Sequence, residues 1–314
     1  MLGVLLVFAL AFGATPASGL IERLAGGAAV SVQSTVKKVA RARDLAFLPV
    51  EYHGGPVMSA NTNYVIWWDP QGVAKYAPKF TAGVQDWFKN IQRDSGKDTN
   101  TDDVLTQYGA NYVSKFGGAL KDKDHLPGNG CSYSAICLTD AQLRVEIQYT
   151  VESHGLPQDL THEYFLFTGP GIESCLEATG GFCSANSASP RYCAYHGAIE
   201  TEHGTIIYAV DPYVYEKNCD EPGHRPNGPS DSALLAGLAH EHSESLTDPE
   251  LNAWINPLGE EVGDICRTFE PATEFGAYLG TAVDGSPYNY VIQRTDYLYQ
   301  QEWSNNADSC VQRN

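Results

Sequence analysis

The sequence predicts an α+β domain in which a mixed sheet carries a metal-site helix and disulfides stabilise the outer loops. Three observations lead there. Short runs of β-branched and aromatic residues are interspersed with stretches of helical apolar spacing; an apolar helix beginning near Leu234 carries His240, Glu241 and Glu244; and eight cysteines are spread from Cys131 to Cys310. With 314 residues, 43% of them hydrophobic, the chain can bury one large core or two closely packed ones, and it shows no internal repeat.

The elements follow in order. Residues 63–68 (NYVIWW) predict a strand closed by Asp69, Pro70 and Gly72. Residues 80–93 set Val84, Trp87, Phe88 and Ile91 at helical spacing and stop at Ser95-Gly96. Residues 139–154 predict a second helix, with Thr139 or Asp140 at its N-cap and Gly155 beyond its end. Residues 163–167 and 205–210 predict short strands, the second expected near the site and offering a sheet edge to an extended peptide. Residues 169–190 and 220–231 read as Gly-, Ser- and Pro-rich loops, and a third helix starts at Ser230 or Asp231.

A formal net charge of −18 argues against nucleic acid or an anionic membrane as partner, because both draw their affinity from clustered Lys and Arg. The N-terminus, MLGVLLVFALAFGATPASG, is an apolar run followed by small residues, which predicts a signal peptide over residues 1–19 and a secreted product. No later segment is apolar enough to span a bilayer. Residues 20–46, with Lys37, Lys38, Arg41 and Arg43, read as a linker or pro-segment excluded from the fold, which leaves 47–314 as one domain. The cysteines form no C-x-x-C pair, so disulfides are expected in place of a zinc-thiolate site, with Cys131–Cys137 and Cys175–Cys183 as local bridges.

The decisive stretch is LLAGLAHEHSESLTDPELNAWINPLGEEVGDIC, residues 234–266. Residues four apart on a helix lie one above the other, so His240 and Glu244 share a face while Glu241 lies about 100° round. This is the H-E-x-x-H logic of a zincin with Glu as second ligand: two metal ligands on one face and a carboxylate placed to take a proton from water. A third protein ligand is needed, and Glu260, Glu261 and Asp264 follow on a second short element. His242 points nearly opposite to His240 and is read as a packing residue; Asp248 is read as an N-cap for the turn that follows it, and His53 as a turn residue before Gly54-Gly55.

HEHSESLTDPELNAW followed by EEVGDIC resembles the Exordium or phosphate-induced-protein family, as do EYHGGPVMSANTNYVIWW from Glu51, CLTDAQL from Cys137 and RYCAYH from Arg191. The resemblance covers about residues 50 to 304. It departs from the plant pattern after Cys266, where RTFEPATEFG replaces a glycine-rich run, so the chain looks like a microbial relative. The resemblance implies an extracellular protein tied to the cell wall. It favours Glu261 as the third metal ligand, with Glu260, which has the E-x-x-x-D spacing of thermolysin-like zincins to Asp264, as the alternative, and it implies Asp264 as companion, accepting from the other ring nitrogen of His240.

Two functions fit this reading. One is a metal-dependent hydrolase, a peptidase acting on peptide or protein, with Zn2+ or another divalent cation on His240, Glu244 and Glu261, Glu241 as general base and His196 at the reacting oxyanion or as a further ligand. The other is a non-catalytic protein of cell-wall material or the cell surface, with a structural metal or none.

Overall fold

Apolar runs buried on both faces belong in the middle of a sheet, because an edge or single-sided strand would alternate with polar residues. In the computed structural model, which describes residues 19–24, 27–35, 48–70, 75–268 and 270–314, such runs form the centre of a ten-stranded mixed sheet. Numbered along the chain, its strands are β1 (Gly19–Arg23), β2 (Ala29–Ser34), β3 (Asn61–Trp68), β4 (Ser114–Asp122), β5 (Ile136–Thr139), β6 (His162–Thr168), β7 (Ile172–Cys175), β8 (Cys183–Ser184), β9 (Pro190–Thr201) and β10 (Gly204–Asp211). Their order is β4-β3-β6-β10-β9-β8-β7-β5, with β2 also paired to β9 and β1 to β2. The β4, β3, β6 and β10 strands run parallel, and β9 turns back antiparallel to β10.

Strand alternation sends side chains to two cores. On one face Val65, Trp67, Phe165 and Phe167 meet helix α1 (Phe80–Asp94) through Val84, Trp87, Phe88 and Ile91. On the other, Ile66, Trp68, Tyr164 and Leu166 meet helix α2 (Asp140–Ser153) through Leu143, Ile147 and Val151. Both helices match the sequence expectation to within a residue or two, and Thr139 caps α2 with its hydroxyl toward the Gln142 N–H.

Three expectations are corrected. The predicted export signal lies outside the described residues apart from Gly19, but part of the segment expected outside the fold does not: β1 and β2 form a hairpin on the sheet, because residues 29–34 (AVSVQS) alternate Val30 and Val32 with polar neighbours and bury the valines. Residues 169–190, expected as a loop, supply β7 and β8. Residues 205–210 are no edge, since β10 is held between β6 and β9.

All eight cysteines are paired, as Cys131–Cys137, Cys175–Cys183, Cys193–Cys219 and Cys266–Cys310, and the two local bridges are those expected. Unfolded, unreduced protein is therefore expected to release no thiol in a titration. The Cys266–Cys310 bridge closes the longest loop, with a sequence separation of 44. Replacing both residues by Ser should lower stability by about 4 kcal/mol on the chain-entropy estimate, read from denaturant unfolding.

Candidate metal centre

The helical region starts at Asp231, widens into a π-type turn over Leu234–Leu238, and continues as helix α3 (Ala239–Thr247). π-turns inside helices occur often at functional sites, because they re-aim the residues that follow. Gly237 lies in that turn, and a Cβ there would sit 2.2 Å from the Ala194 Cβ. The missing side chain lets the helix lie directly on β9. One turn later Glu241 Oε2 is 3.0 Å from Nδ1 of His196, a β9 residue.

The i, i+4 pair forms as the spacing predicts, with His240 Nε2 3.1 Å from Glu244 Oε1. A short helix, α4 (Val262–Cys266), closes the site from the other side, fixed at its end by the Cys266–Cys310 bridge. A Cβ on Gly263 would lie 2.7 Å from His240 Nδ1, so glycine is what lets α4 approach the imidazole.

Asp264 on α4 brings Oδ1 to 3.5 Å from His240 Nε2, the nitrogen that also faces Glu244, and not to the other ring nitrogen as expected. Its backbone N–H donates to Glu244 Oε1 at 3.0 Å, and its Oδ2 accepts from the Glu261 N–H at 3.1 Å. The structure thus groups His240, Glu244 and Asp264, while Glu261 Oε1 lies 3.8 Å from His196 Nε2. His196, Glu241 and Glu244 form a second group, so the two oxygens of Glu244 face two histidines. Tetrahedral coordination at about 2.0–2.1 Å sets donor atoms about 3.3 Å apart, and the separations here lie on either side of that value.

The neighbouring candidates fall elsewhere. Glu260 accepts from Asn256 Nδ2 at 2.8 Å and closes the turn 256–260. Asp248 accepts the N–H groups of Asn252 and Ala253, so it caps the turn as expected, although no helix follows. His242 packs against Trp87 and Phe88 on the far face of α3, with Nδ1 3.0 Å from Glu163 Oε2. His53 contacts the Ile255 carbonyl at 3.2 Å, outside the site. Sequence reasoning missed Glu302, a fully buried carboxylate whose charge is felt by His240 and Glu244. It stands beside one strand-forming residue, Trp303, 58 positions after Glu244 and outside any motif, so no sequence signal marked it.

His196, Glu241, Glu244, Glu261 and Asp264 are fully buried, and His240 is 1% exposed. Among the described residues neither Lys nor Arg pairs with Glu241, Glu244, Glu261 or Glu302, and Glu244 Oε2 accepts no hydrogen bond. Acids buried together cannot all ionise without a cation. Burial pushes Glu241 up to about 8, against the pull of His240 and with Asp264 adding to the rise; burial and Asp264 push Glu244 up to about 7. Burial would lower His240, but Glu244, Asp264 and Glu241 hold it well above its ordinary value.

These directions fix a pH dependence. The folded, metal-free protein keeps Glu241 and Glu244 protonated where the unfolded chain, at the ordinary value of 4.5, has released those protons. Their contribution to stability therefore falls as pH rises from about 4.5 to about 8, and the raised His240 acts in the same direction above 6.5. Chelator-treated protein is expected to melt at a lower temperature at pH 8 than at pH 5.5, and a divalent cation should remove most of that difference. A melting temperature that rises from pH 5.5 to 8 without metal would contradict this account of the site.

No family model and no solved structure matches the chain. The chain is similar to Protein EXORDIUM-like 3 of Arabidopsis thaliana, with 24% identity over 306 residues that cover 83% of this chain and 82% of that protein. This distant likeness, spread over most of both chains, supports the relation to Exordium proteins that the four sequence motifs carry.

Proposed function

We propose that the protein is a secreted, metal-dependent hydrolase of polypeptide, with a divalent cation held by His240, Glu244 and either Glu261 or Asp264. The observation that carries this reading is the pairing of a ligand-spaced His240, Glu244 and Asp264 with Glu241, whose carboxylate is held by His196 beside them. Secretion is supported by the apolar N-terminal run and by four disulfides, which persist in oxidising compartments. Among the described residues no helix is long and apolar enough to cross a membrane.

The donor set of one imidazole and carboxylates suits Zn2+ and also accepts harder divalent cations. Such an ion supplies Lewis acidity, making water acidic enough to be deprotonated near neutral pH. Glu241 is one position round the helix from His240, so with a cation bound its ionised carboxylate would take that proton as general base and return it to the leaving amine. His196 orients Glu241 through Nδ1, and a ring N–H there would steady the developing negative charge on the substrate. Asp264 has the shorter approach to His240 and is the third ligand on distance, whereas Glu261 is the one implied by the family pattern.

One observation favours the second reading, a non-catalytic surface protein with a structural metal: every group of the site is buried, and a hydrolase must admit its substrate. Two measurements decide. Metal analysis of the purified protein should find a divalent ion that is lost in His240→Ala and Glu244→Ala, and loss in either Asp264→Ala or Glu261→Ala identifies the third ligand; metal content unchanged in all four would reject the centre. Glu241→Gln should keep the ion and the fold yet cut peptide hydrolysis roughly a hundredfold or more. Equal turnover by wild type and Glu241→Gln, or none by either with metal intact, would favour the structural reading.

A further inference from the structure

Part of the burial that weakens the hydrolase reading comes from one strand near the N-terminus. Strand β2 runs antiparallel to β9 along the edge that β10 leaves free, with Ser31 directly opposite His196, Val32 opposite Tyr195 and Gln33 opposite Ala194. Directly opposed residues of an antiparallel pair point to the same face, so Ser31 turns toward the metal centre with His196. There Ser31 faces the Glu261 carboxylate and the Gln33 backbone faces Glu241. Val30 and Val32 point the other way, into the core beneath Tyr195.

This is how a sheet edge binds an extended polypeptide: backbone pairing holds it, and alternate side chains enter the site. Among the described residues only β1 lies on the outer side of β2. No cysteine lies in residues 19–34, so none of the four disulfides ties the hairpin to the domain.

We infer that β2 occupies the polypeptide-binding groove of the metal centre as an internal stand-in for substrate, and that the site works only when this strand leaves β9. The inference rests on the hydrolase reading and gives it a substrate class: an extended segment lying antiparallel to β9, with small polar side chains toward the metal and branched apolar ones away. Residues 20–46, read from sequence as a linker or pro-segment, thereby acquire a physical role in residues 29–34.

The test uses the full chain carrying V30D and V32D, which place charge in an apolar core and do not face the metal centre. A labelled peptide of residues 28–35, AAVSVQST, competes in the wild type with a tethered copy of itself at an effective concentration near the millimolar range. It is expected to bind the double variant at least about tenfold more tightly than wild type, and metal loss to a chelator should speed up in the variant. If the double variant does not fold, V32A weakens the same docking more mildly, and the peptide should still bind it more tightly than wild type. Equal peptide affinity and equal metal loss in folded variant and wild type, with metal bound in both, would overturn the inference and leave the metal centre standing. Tighter peptide binding by a variant that, like wild type, holds no metal would uphold the groove and reject the hydrolase reading.

Discussion

Burying a carboxylate costs several kcal/mol unless a cation or hydrogen bonds compensate, and this fold buries Glu241, Glu244 and Glu261 together at full depth. Two histidines, His196 and His240, are the groups that meet them. Much of the surrounding architecture serves to hold this unfavourable set in place. The Cys266–Cys310 bridge fixes α4, Gly263 lets α4 touch the His240 ring, and Gly237 lets α3 rest on β9. A divalent cation held here would turn the same set from a cost into a binding energy and would couple metal binding to folding.

Strand β9 organises the site. It carries His196 on one face and Tyr195 on the other, takes the close approach of the helix at Ala194, and is tied at Cys193 to Cys219. Its two edges divide the labour: β10 fixes it within the sheet, while β2 and β8 share the other side. The β2 side is the edge next to the candidate base, with Ser31 opposite His196. On the inference drawn above, β10 would support the groove while β2 stands in for an extended chain.

Helix α3 serves two polar environments at once. One face presents His240 and Glu244 to the centre, and the opposite face sets His242 against Glu163 of β6 within an aromatic shell of Trp87, Phe88 and Phe165. A salt-bridged or hydrogen-bonded histidine there satisfies a buried carboxylate that the β6 strand would otherwise leave in the core. The rotation of α3 is therefore fixed from both sides, which sets the direction of Glu241 toward His196.

The sequence by itself determined what depends on neighbours along the chain. The helices at 80–94 and 140–153 follow from apolar spacing and a Thr139 cap, the pairing of His240 with Glu244 follows from one turn of helix, and two disulfides follow from short spacings. What depends on the meeting of distant segments was decided only by the tertiary structure. Period-two alternation in AVSVQS marks a strand, but nothing local says that it pairs with β9, 160 positions on, and covers the site. That Asp264 approaches His240 while Glu261 approaches His196 turns on how α4 is held by Gly263 and a bridge to Cys310, and the place of Glu302 turns on a strand near the C-terminus. Spacing along the chain fixes which side chains share a face, whereas packing fixes which faces meet.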